Sequence, residues 1–220
     1  VRAEPMRFSE KGVRDTVRTV ILPLYNAYNF LVTYARADGW APTAADLERA
    51  PEAKLDRWIT SRLAAFVGDL QREFDAYALS NAAPALARIC DDLNNWYIRR
   101  GRRRYWRGRE AGDRDKQFAY ATLFRALVTI TKAIAPVIPF MTEWLYQRLL
   151  VDTGIEPAGA SVHLPSWPEL PSSLRDEALG AEVAAVRAAV GLGLAVRERE
   201  KLPVRRPLAT VTIASTDAAV

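Results

Sequence analysis

An all-α helical bundle with a short β-containing junction segment at its C-terminal end is the fold class this sequence predicts. Three observations predict it. Apolar residues recur at three- and four-residue spacing through several long segments. Prolines and glycines mostly gather between those segments. Only one short stretch, near the end, alternates with the period of a strand. At 220 residues and 50% hydrophobic content, the chain suits one large domain, or one domain and part of another.

The first helix is predicted over 13–37, with Val13, Val17, Val20, Ile21, Leu24, Tyr28, Leu31, Val32 and Ala35 forming a single buried stripe. Pro23 predicts a kink, because it lacks the N–H its turn needs. Asp38-Gly39 ends the helix, and 40–54 reads as a loop containing Pro42 and Pro51. The pattern returns over 55–77 with Leu55, Trp58, Ile59, Leu63, Phe66, Val67, Leu70, Phe74 and Tyr77. Ser80 is the expected cap of the next helix, and Pro84 falls near its first turn, where a missing donor does little harm. That helix runs from about 81 through Leu86, Ile89, Cys90, Leu93 and Tyr97 into an arginine run, with Gly108 and Gly112 as stops. Another helix is predicted over 114–134, broken by Pro136 and Pro139, and a shorter one over 139–151. Residues 152–171 read as loop, 173–200 as a last helix, and 208–213 as a strand in which Val211 and Ile213 alternate with Thr210 and Thr212. A lone strand needs a partner. The domain reading is a helical domain over 1–152, a linker over 153–171, and a junction helix and strand over 172–220.

The formal charge is +5, which permits an anionic partner without demanding one. One cysteine, Cys90, excludes an internal disulfide and makes a protein-only zinc site a poor reading; it fits a reducing, cytoplasmic setting. The one histidine, His163, lies in a Pro-rich segment and cannot hold a metal alone. No apolar run reads as long enough to cross a bilayer, so no membrane partner is expected, and VRAEPMRF is not a signal peptide. The chain opens on Val and stops at DAAV, so both ends read as cut from a longer protein.

The stretch NNWYIRRGRRRYWRGR, 94–109, packs seven arginines beside Trp96, Tyr97, Tyr105 and Trp106. With Tyr97 and Leu93 on the buried stripe and about 100° per residue, Arg99, Arg102, Arg103 and Trp106 fall on the opposite side. Arg107 follows them. Arg100 and Arg104 fall on the flank of the stripe, where a guanidinium needs a partner, so both are expected in structural ion pairs. Asp91 and Asp92, adjacent on the helix, are read as partners for arginines. A solvated face is the bland reading of the outward set. Against it stand the absence of any acidic residue before Glu110 and the outward Trp106, which suits stacking on bases or riboses. Arg205 and Arg206 add a second basic group. The same patch could instead dock another domain, or bind a membrane surface or an acidic protein. There is no Gly-rich phosphate loop and no carboxylate pair at catalytic spacing, so no catalytic centre and no cofactor are expected on this chain.

The motifs RFSEKGV (Arg7–Val13), LPLYNAYNFLVTYA (Leu22–Ala35), LDRWITSRL (Leu55–Leu63), DDLNNWYIRRGRRRYW (Asp91–Trp106), YATLFRALVTITKAIAPVIPFMTEWLYQRL (Tyr120–Leu149), SVHLPSWP (Ser161–Pro168) and VRRPLATVTI (Val204–Ile213) span nearly the whole chain. In kind and order they resemble the post-catalytic region of class I isoleucyl-tRNA synthetases. The valine, leucine and methionine enzymes share the bundle but differ after the Trp-Tyr, with the valyl enzyme the nearest alternative. The resemblance implies an α-helical anticodon-binding domain whose partners are tRNA and the catalytic domain of the parent chain, in a monomer. It implies ATP and Mg in the parent enzyme, whose His-Ile-Gly-His and Lys-Met-Ser-Lys-Ser motifs are absent here. Gly101 stands where the family often has Ser.

Overall fold

The computed structural model describes residues 9–108 and 113–214, apart from the side chain of Leu79. It divides after Arg175 into two units. Among the described residues the regular elements are helices, seven when consecutive segments are joined, besides a 3-10 turn at Ser172–Leu174.

Helix α1 comprises Glu10–Thr16, a π-helical turn Val17–Ile21, and Leu22–Asp38. The Ser9 hydroxyl caps it by accepting from the Gly12 N–H at 3.1 Å. The break expected at Pro23 takes the form of the π turn. Pro23 has no N–H to offer the Thr19 carbonyl, and the Leu22 N–H reaches five residues back to Val17. Val20, Leu24, Ala27, Leu31 and Ala35 form the buried stripe. Val13 and Val17, expected on it, are exposed instead. Gly39 closes the helix at φ 61°, and the Trp40 N–H returns to the Ala35 carbonyl at 2.8 Å. Only glycine holds that left-handed turn without strain.

Helix α2 (Ala44–Glu48) sits where a loop was expected. It is held by a capping box between Thr43 and Asp46 rather than by periodicity. Helix α3 is Lys54–Asp75. Helix α4 comprises Ala82–Asp91, a π-helical turn Asp92–Ile98, and Arg99–Trp106. Ser80 does not cap it. Ser80 lies within a short 3-10 turn, Leu79–Asn81, and Asn81 takes the cap position with its amide donating to Glu73 at 2.6 Å. The stop expected at Gly112, and Glu110 beside it, lie outside the described residues.

Helix α5 (Arg114–Ala133) is the centre of the first unit. Every residue from Ala119 to Thr131 is buried. The helix is enclosed because α1, α2, α3, the last segment of α4, and α6 all pack on it. Helix α6 is Pro139–Tyr146 followed by a π turn, Gln147–Val151.

Residues 153–171, read as a linker, belong to this first unit. The Glu143 carboxylate anchors them by accepting from the Val162 N–H and Ser161 hydroxyl, both at 2.9 Å, and from the Gln147 amide at 2.8 Å. Burial alone would raise the Glu143 pKa, but the Val162 N–H, with Gln147 and Ser161, brings it below its ordinary value of 4.5. A depressed carboxylate contributes stability above its unfolded pKa and loses it as pH falls through the folded value. Val162 amide protection, measured by hydrogen exchange corrected for intrinsic rate, is therefore expected to hold at pH 6 and decline below about pH 4.5. Glu143→Gln should remove most of that pH dependence.

The second unit contains α7 (Glu177–Arg199), capped by Asp176, whose side chain accepts from the Leu179 N–H at 2.9 Å. By length and composition alone α7 could cross a bilayer, contrary to the sequence expectation. Its apolar character comes from Ala, Val and Leu, with Glu182 and Arg187 inside it. A charge such as Arg187 costs about 2.5–3.5 kcal/mol at a membrane centre. The strand expected at 208–213 does not form. Leu208, Val211 and Ile213 are exposed, and among the described residues no second strand satisfies their backbone groups.

Candidate nucleic-acid interface

The last segment of α4 is held by an ion-pair network at its buried edge. Asp56, 0% exposed, comes from the first turn of α3 and accepts from Arg104 through both oxygens, at 2.6 and 2.8 Å. The Tyr97 hydroxyl donates to the same carboxylate at 2.8 Å. Arg104 also pairs with Asp115 at 2.8 Å. Burial disfavours its charge, but the bonds to Asp56 more than compensate and raise its pKa further. Burial likewise pushes the Tyr97 and Tyr105 hydroxyls up, so both stay protonated donors.

Arg100, expected in a similar pair, is exposed and stacks on Trp96 at 4.7 Å from the ring centroid. The buried arc of this segment is set by Ile98, Gly101 and Tyr105, not by Tyr97 alone. That rotation carries Arg100 out while Arg104 stays at the edge. Asp92 pairs with Arg62 of α3 at 2.9 Å, and Asp91 accepts from the Asn95 amide at 2.7 Å. Gly101 is buried with room for a Cβ, which would meet Tyr105 at 3.7 Å and Leu55 at 3.9 Å, ordinary contact distances.

Arg99, Arg102 and Arg103 are exposed, and among the described residues no carboxylate pairs with them. Trp106 is 57% exposed, its indole N–H donates to the Tyr34 hydroxyl at 2.7 Å, and the Arg102 guanidinium lies 5.8 Å from its ring. The indole N–H is thereby satisfied within the protein while more than half of the residue stays in solvent. Arg107, expected to join this set, is bound to Asp113 at 2.9 Å and Asp115 at 2.7 Å, so its charge is largely answered within the protein. Arg205 and Arg206 belong to the second unit, where both are exposed.

Beside the arginines, α1 and α4 leave a groove of about 640 Å³. Arg18, Arg99 and Arg102 border it, with Asn26, Asn94 and Phe30 among its lining groups. Sequence reading missed Arg18 and the groove, because nothing in the chain's local pattern says that α1 and α4 lie side by side. Cys90 also reaches this groove but is itself buried, which pushes its thiol up to about 12. Fixed guanidinium groups around amides and an aromatic ring suit a polyanion whose bases are unstacked.

Residues 56–213 match the family described as the anticodon-binding domain of tRNA ligase. An isoleucine–tRNA ligase of Protochlamydia amoebophila is 42% identical over 217 residues, 99% of this chain and 20% of that protein. One from Treponema pallidum is 38% identical over 224 residues, 97% of this chain and 20% of the relative. One from Clostridium acetobutylicum is 42% identical over 205 residues, 93% and 19% respectively. The chain spans about a fifth of the length of these curated relatives. With a basic groove on a helical bundle and a family match over most of its length, this chain belongs to the anticodon-binding domains of tRNA ligases.

Proposed function

We propose that the chain is the tRNA-binding domain of an isoleucine–tRNA ligase and receives the anticodon arm of tRNA(Ile). The parent joins isoleucine to that tRNA using ATP and Mg in a catalytic domain elsewhere in the polypeptide, as a cytoplasmic monomer. The observation that carries this reading is the exposed set Arg99, Arg102 and Arg103 on one helix, the first two bordering the α1–α4 groove, with no acidic partner among the described residues. Such groups answer phosphates, which position a nucleic acid without reading its sequence. Trp106 offers its exposed surface to a base or ribose. Arg205 and Arg206 supply a second phosphate contact from the other unit. The names of the relatives support isoleucine over valine.

The test is a titration of tRNA(Ile) and an unrelated tRNA at several salt concentrations. Each lost phosphate contact lowers the slope of log K against log salt by about 0.7–0.9. The triple Arg99→Ala, Arg102→Ala, Arg103→Ala variant is expected to lose about two to three units and to weaken both tRNAs by a similar factor. Arg107→Ala should change the slope little, because Asp113 and Asp115 already hold that guanidinium. An unchanged slope in the triple variant, or tighter binding to anionic vesicles than to tRNA at equal salt, would overturn the reading.

A further inference from the structure

Trp106 is the last residue of α4 and is exposed. Helix ends fray, so the backbone alone does not order a ring at that position. Its one polar atom is tied to α1. The indole N–H donates to the Tyr34 hydroxyl at 2.7 Å, across 72 residues of sequence. Tyr34 is in turn supported from the core. Its ring meets that of Phe30, one turn earlier on α1, with centroids 4.8 Å apart. Phe30 meets Tyr105 edge-on, at 5.0 Å and 80°. Tyr105 is buried, and its hydroxyl donates to the Ala119 carbonyl of α5 at 3.0 Å. Two rings from α1 and two from α4 thus form a bridge that runs from a buried backbone group to an exposed indole. The Arg102 guanidinium lies within cation–π range of that indole, at 5.8 Å. Phe30 and Arg102 also line the α1–α4 groove, so the bridge stands at the candidate interface itself. Water competes for an exposed bond between neutral groups, so the Trp106–Tyr34 bond adds little to the fold. What it does is restrict the indole.

We propose that Tyr34 is a positioning residue for tRNA binding: by accepting from Trp106 it holds the indole, before tRNA arrives, in the orientation that packs against an unpaired base or a ribose. The inference rests on the tRNA reading above and adds a neutral, preorganised contact to the arginine set. A side chain that must be ordered on binding costs affinity, and one already ordered costs less. Tyr34 and Trp106 carry no charge, so their contribution does not depend on released counterions. The two kinds of contact therefore separate. Removing arginines changes the salt slope, whereas releasing Trp106 weakens binding by the same factor at every salt concentration.

The full-length gene product that carries this chain is titrated with tRNA(Ile) at several salt concentrations. The variants are Tyr34→Phe, Trp106→Phe, the two combined, and the triple arginine variant. Tyr34→Phe keeps the ring against Phe30 and removes only the acceptor. It is expected to weaken binding about three- to tenfold at every salt concentration, with the slope unchanged. Because Tyr34 acts through Trp106, the same change in the Trp106→Phe background should cost nothing more. In aminoacylation the KM for tRNA should rise with kcat unchanged, whereas general damage to the fold would lower kcat. Wild-type affinity in Tyr34→Phe, beside a lowered slope in the triple arginine variant, overturns this inference and leaves the tRNA reading standing. Additive losses in the combined variant overturn it too, since Tyr34 would then act without Trp106, as does a changed slope in Tyr34→Phe. An unchanged slope in the triple variant removes the tRNA reading and this inference with it.

Discussion

Asp56→Ala is expected to lower the stability of the first unit by about 3–5 kcal/mol, the cost of removing one partner from a buried ion pair. Asp56 is fully buried and answers three donor atoms, two from Arg104 and one from Tyr97. The alanine variant leaves a guanidinium whose side chain is only 15% exposed facing Asp115 alone, and leaves the Tyr97 hydroxyl with a long contact to the Ala119 carbonyl at 3.5 Å. Equilibrium denaturation reads the effect as a lower midpoint with an unchanged slope. A paired change, Asp56→Leu with Arg104→Met, removes both charges together. It should cost much less than the sum of the single changes, since desolvation of the charges disappears with them. A loss below about 1 kcal/mol for Asp56→Ala would mean that the pair is screened like a surface ion pair. The stakes reach the interface, because Asp56 anchors Arg104 on the α4 segment that presents Arg99, Arg102 and Arg103.

That dependence explains what could be read from the chain and what could not. Periodicity places α3, α5 and α7 to within a few residues, but only in α3 does the apolar stripe also mark the buried face, since α5 is enclosed all round and α7 buries only Leu179. It treats every helix as 3.6 residues per turn, so it is blind to the π turns in α1, α4 and α6. It also cannot tell which of two apolar faces is buried, and so assigned Val13 and Val17 to the core. Helix α2 escaped because five residues are too few to show a period. The outward side of Arg99, Arg102 and Arg103 follows from local geometry. The pairing of Arg104 follows from it too, though not the identity of its partner, while the fates of Arg100 and Arg107 do not follow. Asp56 lies 48 residues from Arg104, and Asp38 lies 82 residues from Tyr120, so their meeting is decided by packing. The strand at 208–213 failed for a related reason, since a pattern of alternation supplies no partner.

The second large effect belongs to Asp38. It is the last residue of α1, and its carboxylate meets Lys116 and the Tyr120 hydroxyl of α5, each at 2.5 Å. Lys116 is 3% exposed and also donates to the Arg107 carbonyl at 2.7 Å, just past the end of α4. Trp40 stacks on Tyr120 with centroids 5.1 Å apart and closes the cluster from one side. Burial, with the Asp38 carboxylate behind it, raises the Tyr120 pKa and keeps its hydroxyl a donor. Asp38→Ala strands a buried ammonium with one carbonyl for company, and a loss of about 3–5 kcal/mol is expected by denaturation. Lys116→Met should cost less, because the remaining Asp38 keeps the Tyr120 hydroxyl and is itself 14% exposed to water. Tyr120→Phe removes one hydrogen bond to a charged group, about 1.5–3 kcal/mol. The ordering Asp38→Ala above Tyr120→Phe and Lys116→Met is the discriminating result, because a solvent-screened surface pair would give three small and similar losses. The cluster ties the ends of α1 and α4 to the start of α5, so its loss should also loosen the Trp106–Tyr34 contact. Trp106 fluorescence in Asp38→Ala is expected to move toward that of a freely hydrated indole under conditions where the fold survives, and an unchanged spectrum would disconnect this cluster from the interface.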